Sequence, residues 1–262
     1  MKETHIFYVP DMNPGTIELP GEEAGHAVRV LRMKEGDTLT LTDGKGRFYE
    51  AEITLATPKH CQFNILNQWK DTKLWYGNIH LAVAPTKNMD RMEWLAEKAT
   101  EIGFDRLSLL KCCNSERKVV KTERLEKIVV AAMKQSHKAF KPIVEELTPF
   151  DQFIAQPFCG QRFIAHCYNP EEVDESKPDQ TSPTDTSRQE LHLSAANFLG
   201  DLVKAEDDTL VLIGPEGDFS IDEVRKAIAA GFVPISLGES RLRTETAALV
   251  AVHLMMLAKR RR

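Results

Sequence analysis

No stretch of the 262 residues comes near eighteen consecutive apolar residues, which excludes a long hydrophobic membrane span. The opening Met1-Lys2-Glu3-Thr4-His5 lacks the apolar core of a signal peptide, so a cytoplasmic setting is expected. Cysteine is sparse and odd in number: there are five, none in Cys-x-x-Cys spacing, with Cys112 and Cys113 adjacent. This excludes a zinc ribbon and argues for reduced thiols over a disulfide framework. Neither the histidines nor the carboxylates show ligand spacing, and no metal is expected. There is no Gly-x-x-x-x-Gly-Lys-Ser/Thr loop, and Gly44-Lys45-Gly46 lacks the third glycine of a dinucleotide fingerprint. P-loop and Rossmann chemistry are thereby set aside.

What is present is ordinary globular material, 42% hydrophobic and 28% charged, enough for one large core or two modest ones. The net charge of −5 is segregated. Between Lys111 and Lys141 nine basic residues, among them Arg117, Lys134 and Lys138, face three acidic ones, a local +6. Residues 171–190 carry seven acids against two bases, a local −5. A basic face on an acidic chain suits docking to a defined stretch of phosphate backbone.

Residues 4–70 read as β-rich. Thr38-Leu39-Thr40-Leu41-Thr42 alternates, Asp43-Gly44-Lys45-Gly46 is a hairpin turn, and alternation resumes through Tyr49, Ala51, Ile53 and Leu55. A short helix over 22–31 would place His26, Arg29 and Arg32 on one face, suitable for phosphate contact. Short strands with tight turns predict a small barrel over 1–72. From residue 73 to 262 the period changes. Strand-like runs at 79–84, 107–110, 163–167, 209–213 and 233–237 alternate with helical patterns at 90–103 and 122–140, and a mostly parallel sheet follows. Lys87 and Arg91, just after the first of these strands, stand where a polyanion could be met. Residues 169–189, rich in Pro, Ser, Thr and acids, are expected to form a disordered loop inside this second domain.

The most informative residues are two strand-to-helix turns near the C-terminus. The first is Ile213-Gly214-Pro215-Glu216-Gly217-Asp218, followed by Ser220 and Glu223, a capping box for the next helix. The second is Leu237-Gly238-Glu239-Ser240-Arg241-Leu242-Arg243-Thr244-Glu245-Thr246-Ala247. Both belong at one edge of an open α/β sheet, where ligands bind. The helix after the second turn is apolar nearly all round, as expected of one buried in a core or across a subunit interface.

These turns, with Lys87 to Gly103 and His26…Val30-Leu31-Arg32, resemble the trefoil-knotted (SPOUT-class) RNA methyltransferases. The resemblance is to the family that methylates N3 of uridine 1498 in bacterial 16S rRNA. It implies a PUA-like or OB-like RNA-binding barrel followed by a knotted α/β domain, a homodimer, S-adenosylmethionine as cofactor, and the small ribosomal subunit as partner. It implies that Ile213, Gly214, Pro215, Glu216, Gly217, Leu237, Gly238, Leu242, Thr244, Thr246 and Ala247 hold the cofactor. Arg243 and Glu245 are then the candidates for catalysis, Glu245 to take the N3 proton and Arg243 to meet charge on the base oxygens. An Arg243–Glu245 ion pair shaping the loop is the competing reading. Two departures from the family pattern stand out. Asp218 replaces a glycine, its side chain expected to point to solvent, and Ser240-Arg241 replaces the usual Arg-Ile. A non-catalytic RNA-binding assembly factor of the same fold, or a methyltransferase for another RNA site, is the alternative.

Overall fold

The computed structural model describes residues 5–13, 15–57, 59–168, 170–173 and 197–261. The acidic stretch expected to be a loop lies outside the described residues except for 170–173. The chain packs as two units, Met1–Leu74 with Lys127–Pro142, and Trp75–Glu126 with Ile143–Arg262.

In the first unit β1 (Ile6–Tyr8) pairs in parallel with β2 (Thr38–Thr42). Strands β3 (Arg47–Ala56) and β4 (Cys61–Lys70) continue the sheet antiparallel. The alternation seen in the sequence puts Leu39, Leu41, Ala51 and Ile53 inward, against Phe7 and Phe63. Asp43 sets the hairpin by accepting the N–H groups of Lys45 (2.7 Å) and Arg47 (3.1 Å). Residues 17–19 pair with the start of β4, Leu19 N–H donating to the Cys61 carbonyl at 2.9 Å. The expected short helix splits into α1 (Gly21–Gly25) and one π-helical turn, His26–Val30. Residues 127–142 complete this unit, with Ala139 and Phe140 packed on Ile6 and Phe48.

The second unit is a six-stranded, all-parallel sheet. Its strands are β5 (Ile79–Val83), β6 (Arg106–Lys111), β7 (Ile143–Pro149), β8 (Gln161–Ala165), β9 (Thr209–Ile213) and β10 (Val233–Ile235), in the order β10-β8-β9-β5-β6-β7. Strands β5 and β9 are buried at every position, as continuous apolar runs covered on both faces must be. The helices are α2 (Met89–Ile102), α3 (Thr122–Gln135, whose second half belongs to the first unit), α4 (Phe150–Ile154), α5 (Pro170–Val173), α6 (Leu199–Leu202), α7 (Ile221–Ala229) and α8 (Thr244–Lys259). Helix α2 buries Met92, Leu95, Ala96 and Ala99 and stops at Gly103, whose φ of 121° only glycine takes easily. Helix α3 ends at Gln135, five residues before the predicted stop, because His137 turns left-handed at φ 54°. No helix among the described residues is long and apolar enough to cross a membrane.

One buried polar chain crosses three strands. Ser108 on β6 donates to Glu145 on β7 and therefore accepts from His80 Nε2 on β5, 2.7 Å away. Arg106 closes the chain on Glu145. His80 lies edge-on to Phe153, and burial pushes its pKa down to about 4 despite the Glu145 carboxylate. A folded-state pKa below the unfolded 6.5 means the neutral ring favours the fold at pH above 6.5. That contribution is lost as pH falls from 6.5 through 4. Over this window the group should remove about 3 kcal/mol of stability. Urea unfolding of the parent and of His80→Gln at pH 7.5 and 4 tests this. The parent should lose more than the variant; equal losses would assign the acid sensitivity elsewhere.

Candidate active site

The carboxyl ends of β8, β9 and β10 open into one cleft of about 920 Å³. At the end of β9 the chain turns at 214–218, with Asp218 N–H donating to the Pro215 carbonyl at 2.9 Å. Asn114 holds the turn from outside, its amide donating to the carbonyls of Gly217 (3.2 Å) and Asp218 (3.1 Å). A Cβ on Gly217 would press on Asn114 at 3.3 Å, not into open space. The capping box forms as read: the Ser220 hydroxyl accepts from Glu223 N–H, and Glu223 accepts from Ser220 N–H at 2.8 Å. Glu223 also accepts from Cys113 N–H at 2.8 Å, tying the loop after β6 to the start of α7.

Asp218 does not point to solvent. It sits left-handed at φ 61°, and its carboxylate accepts from Phe219 N–H at 2.7 Å and from Cys167 N–H at 2.8 Å. The left-handed conformation costs about 1 kcal/mol relative to glycine. Two charge-assisted hydrogen bonds offset it.

At the end of β10, Gly238 takes φ 118°, and a Cβ built there meets nothing within 4 Å. The turn is closed by Gly238 N–H on the Ser236 hydroxyl at 3.1 Å. Arg243 is the N-cap of α8, its carbonyl accepting from Ala247 N–H at 2.8 Å. The third wall, which the sequence reading did not anticipate, is the exit of β8. His166 Nδ1 accepts from Tyr168 N–H (3.2 Å), and the Tyr168 hydroxyl donates to the Phe219 carbonyl (2.7 Å). Burial lowers the His166 pKa, against the pull of Asp218 and Glu172. Burial and the Asp218 carboxylate raise the Cys167 thiol.

Of the expected cofactor residues, Ile213, Gly214, Pro215, Glu216, Gly217, Leu237, Gly238, Leu242, Thr244 and Ala247 line the cleft, and Thr246 stands outside the lining. Arg243 lines it and is exposed, with no ion pair among the described residues. Glu245 is 8% exposed and faces Arg91 at 3.5 Å, so the alternative Arg243–Glu245 pair does not form. Its Oε2 has no hydrogen-bond partner. Arg91, expected on an RNA surface, therefore belongs to the cleft.

The other basic candidates are dispersed. Lys87 pairs with Glu116 at 2.8 Å. Arg117 donates to the carbonyls of Thr86 and Lys87, which commits its guanidinium to holding that loop. In the first unit Lys134 is ion-paired with Glu23, and both Lys134 and Lys138 are half-buried. His26, Arg29 and Arg32 are exposed but share no helical face. The first two lie on the π-helical turn, whose winding is wider than 3.6 residues, and Arg32 lies beyond it at φ 57°.

The cleft suits a nucleoside-sized ligand. Ile213, Ile235, Leu237 and Leu242 supply apolar wall, and the turns supply backbone N–H and C=O groups. The family model of an RNA methyltransferase domain matches residues 73–256, and that of an RNA methyltransferase PUA domain matches 19–66. The chain is similar to ribosomal RNA small subunit methyltransferase E of Mycobacterium bovis, 28% identical over 94% of this chain and 89% of that one. Among solved structures it is similar to a probable rRNA methyltransferase from Porphyromonas gingivalis, 42% identical, TM-score 0.83, covering 97% of this chain and 98% of that one. Ribosomal RNA small subunit methyltransferase E from Neisseria gonorrhoeae, bound to S-adenosyl methionine, is 26% identical with a TM-score of 0.77, covering 97% and 98%.

The two halves of the capping box should differ in weight. Ser220→Ala loses the cap alone and should cost about 1 kcal/mol. Glu223→Ala also strands the N–H of Cys113 and should cost about 2 to 3 kcal/mol. Denaturant unfolding of both variants measures the difference, and equal costs would mean that the Cys113 contact contributes nothing.

Proposed function

The chain belongs to the RNA methyltransferase family, and we propose that it transfers a methyl group from S-adenosylmethionine to N3 of a uridine in 16S rRNA of the small ribosomal subunit. The observation that carries this reading is the convergence of three strand exits on one cleft lined by Arg91 and Arg243, with the buried Glu245 behind the lining, paired to Arg91. The residues fit the cofactor. Ile213, Ile235 and Leu242 offer a wall for a purine, and the open space over Gly238 is what a bound ligand needs. The cofactor supplies an electrophilic methyl group, so the protein's task is to bring up a nucleophilic nitrogen and remove its proton.

Uracil N3 bears a weakly acidic proton. Glu245 would accept it once the buried carboxylate reaches the base: Arg91 pairs with one oxygen at 3.5 Å, and the buried Oε2 has no hydrogen-bond partner to give up. Arg243, free of carboxylates at the start of α8, supplies a planar cation for charge on the base oxygens. Phosphate contact would come from exposed cations such as His26, Arg29 and Arg32 of the first unit, with a steep dependence on salt.

A homodimer and a cytoplasmic location, where ribosomal subunits are, belong to the same proposal. Helix α8 buries Ala248, Ala251, Val252 and Met255, yet its other side is still apolar at Leu249, Val250, Met256 and Leu257. Light scattering should give a particle of twice 29.6 kDa; a monomer at micromolar concentration would remove the dimer.

The central test maps modified nucleotides in 16S rRNA from cells with and without this chain. A 3-methyluridine lost in its absence supports the proposal, whereas loss of a different methylated nucleotide, or of none, rejects it. In single-turnover assays Glu245→Gln should slow transfer by about a hundredfold or more, and Arg243→Lys by about ten- to a thousandfold. Cofactor affinity, read by calorimetry, should stay within a few fold in both. Full-rate variants would remove these roles.

A further inference from the structure

The family turn carries glycine where this chain carries Asp218, a residue held left-handed at φ 61° in the wall of the cleft. Strained backbone at a site persists only where the surroundings over-determine it. Here they do so through the side chain. The parallel ladder between β8 and β9 ends at the pair Ala165 and Ile213. Beyond it the two segments have no backbone partners in each other among the described residues, and the carboxylate of Asp218 takes over. It accepts from Cys167 N–H on one side and from Phe219 N–H on the other, joining segments 51 residues apart in sequence.

We propose that Asp218 is a positioning residue for the cofactor: its carboxylate fastens the exit of β8 to the turn after β9 and so fixes the wall made by His166, Cys167 and Tyr168. The inference rests on the reading of the cleft as a cofactor site. A second fastening supports the geometry. The Tyr168 hydroxyl donates to the Phe219 carbonyl, so residues 167 and 168 are each tied to the 218–219 segment, one through a side chain of the turn and one through its backbone. Asn114 holds the same turn from its other side through the carbonyls of Gly217 and Asp218, which leaves the carboxylate as the turn's own reach toward β8. All three side chains, Asp218, Tyr168 and Asn114, hold peptide groups, so the wall is set by backbone placement.

Asp218→Asn and Asp218→Gly in the full chain test this. Asparagine tolerates the left-handed conformation as aspartate does, but its amide nitrogen cannot accept, so one of the two N–H groups loses its acceptor. Glycine relieves the backbone and removes both acceptors. Hydrogen exchange of the Cys167 amide, followed by NMR without ligand, reads the fastening itself. Calorimetry with S-adenosylmethionine and with S-adenosylhomocysteine reads its consequence. In Asp218→Gly the Cys167 amide should exchange at least tenfold faster, and both ligands should bind about ten- to a hundredfold more weakly, the range for a lost hydrogen bond to a charged group. Asp218→Asn should fall between Asp218→Gly and the parent.

Several results would overturn the proposal. Parental affinities in both variants would mean that the wall does not depend on the carboxylate. A lower melting temperature with both affinities unchanged well below it would leave only a structural role. Weakening confined to S-adenosylmethionine would show the carboxylate acting on the sulfonium charge instead of placing the wall. A parent chain that binds neither ligand would overturn the cofactor reading, and the ligand-free exchange rates keep that failure distinct from a failed latch.

Discussion

The cleft exists because β8 is hydrogen-bonded in parallel between β9 and β10. In an all-parallel sheet every strand ends at the same edge, so neighbours in the sheet become neighbours in the site whatever their distance in sequence. Residues 165–168, 213–218 and 235–243 meet for that reason alone. Had β8 paired beside β7, in chain order, the exit carrying His166 and Tyr168 would stand at the far end of the sheet. The first glycine turn would then face only its partner after β10. The order β10-β8-β9-β5-β6-β7 reverses direction between β9 and β5, and the cleft lies at the carboxyl ends on the β9 side of that point, with Arg91 reaching it from the β5 side.

Polar groups buried for structure differ from those at the cleft in how fully they are paired. The Lys259 ammonium, at the C-terminal end of α8, donates to the carbonyls of Lys204, Ala205 and Asp207, and burial lowers its pKa. Trp75 Nε1–H donates to Asp105 at 2.9 Å, and the same carboxylate oxygen accepts from Ile79 N–H. Among the described residues three buried side-chain atoms lack a partner: Glu23 Oε2, His166 Nε2 and Glu245 Oε2. Two of the three belong to the cleft or stand beside it. Burying an unpaired polar atom costs stability, and the His166 and Glu245 atoms bear that cost in or beside the cleft, whereas the buried ammonium and indole groups elsewhere in this unit are paired.

Local signals were legible in the sequence, and long-range ones were not. The hairpin at 43–46, the capping box at Ser220 and Glu223, the stop at Gly103 and both glycine turns each depend on a few neighbouring residues, and each could be read directly. Strand β7 has no alternation and only three aliphatic side chains in Ile143–Pro149, because it lies at the sheet edge with β6 as its one strand neighbour. The wall at 166–168 was invisible because nothing local says that β8 lies next to β9. Asp218 was misread for a related reason: its acceptor role needs Cys167, which the sheet delivers from 51 residues away. The face shared by His26, Arg29 and Arg32 assumed 3.6 residues per turn, which a π-helical turn does not have. Helix α3 looked like any amphipathic helix of the second domain, although its later half is covered by the first unit.

The same contrast governs the charge. The basic segment from Lys111 to Lys141 reads as one continuous attractor of phosphate, yet folding divides it. Lys127 and Lys134 are drawn to Glu22 and Glu23, Arg124 to Glu93, and Arg117 to two carbonyls. Each exposed pair adds little stability, but it cancels a charge that the linear count had assigned to RNA. Lys111, Lys118 and Lys121 remain exposed, with no ion pair among the described residues. They flank the loop whose Asn114 holds the turn at Gly217 and Asp218. The uncompensated positive charge of this segment therefore stands in the loop that supports the cleft. The loop after β6 thus joins the exposed lysines to the turn after β9 through Asn114, so the linear charge count and the folded charge distribution differ for the same reason that the cleft was hidden: the sheet decides which segments meet.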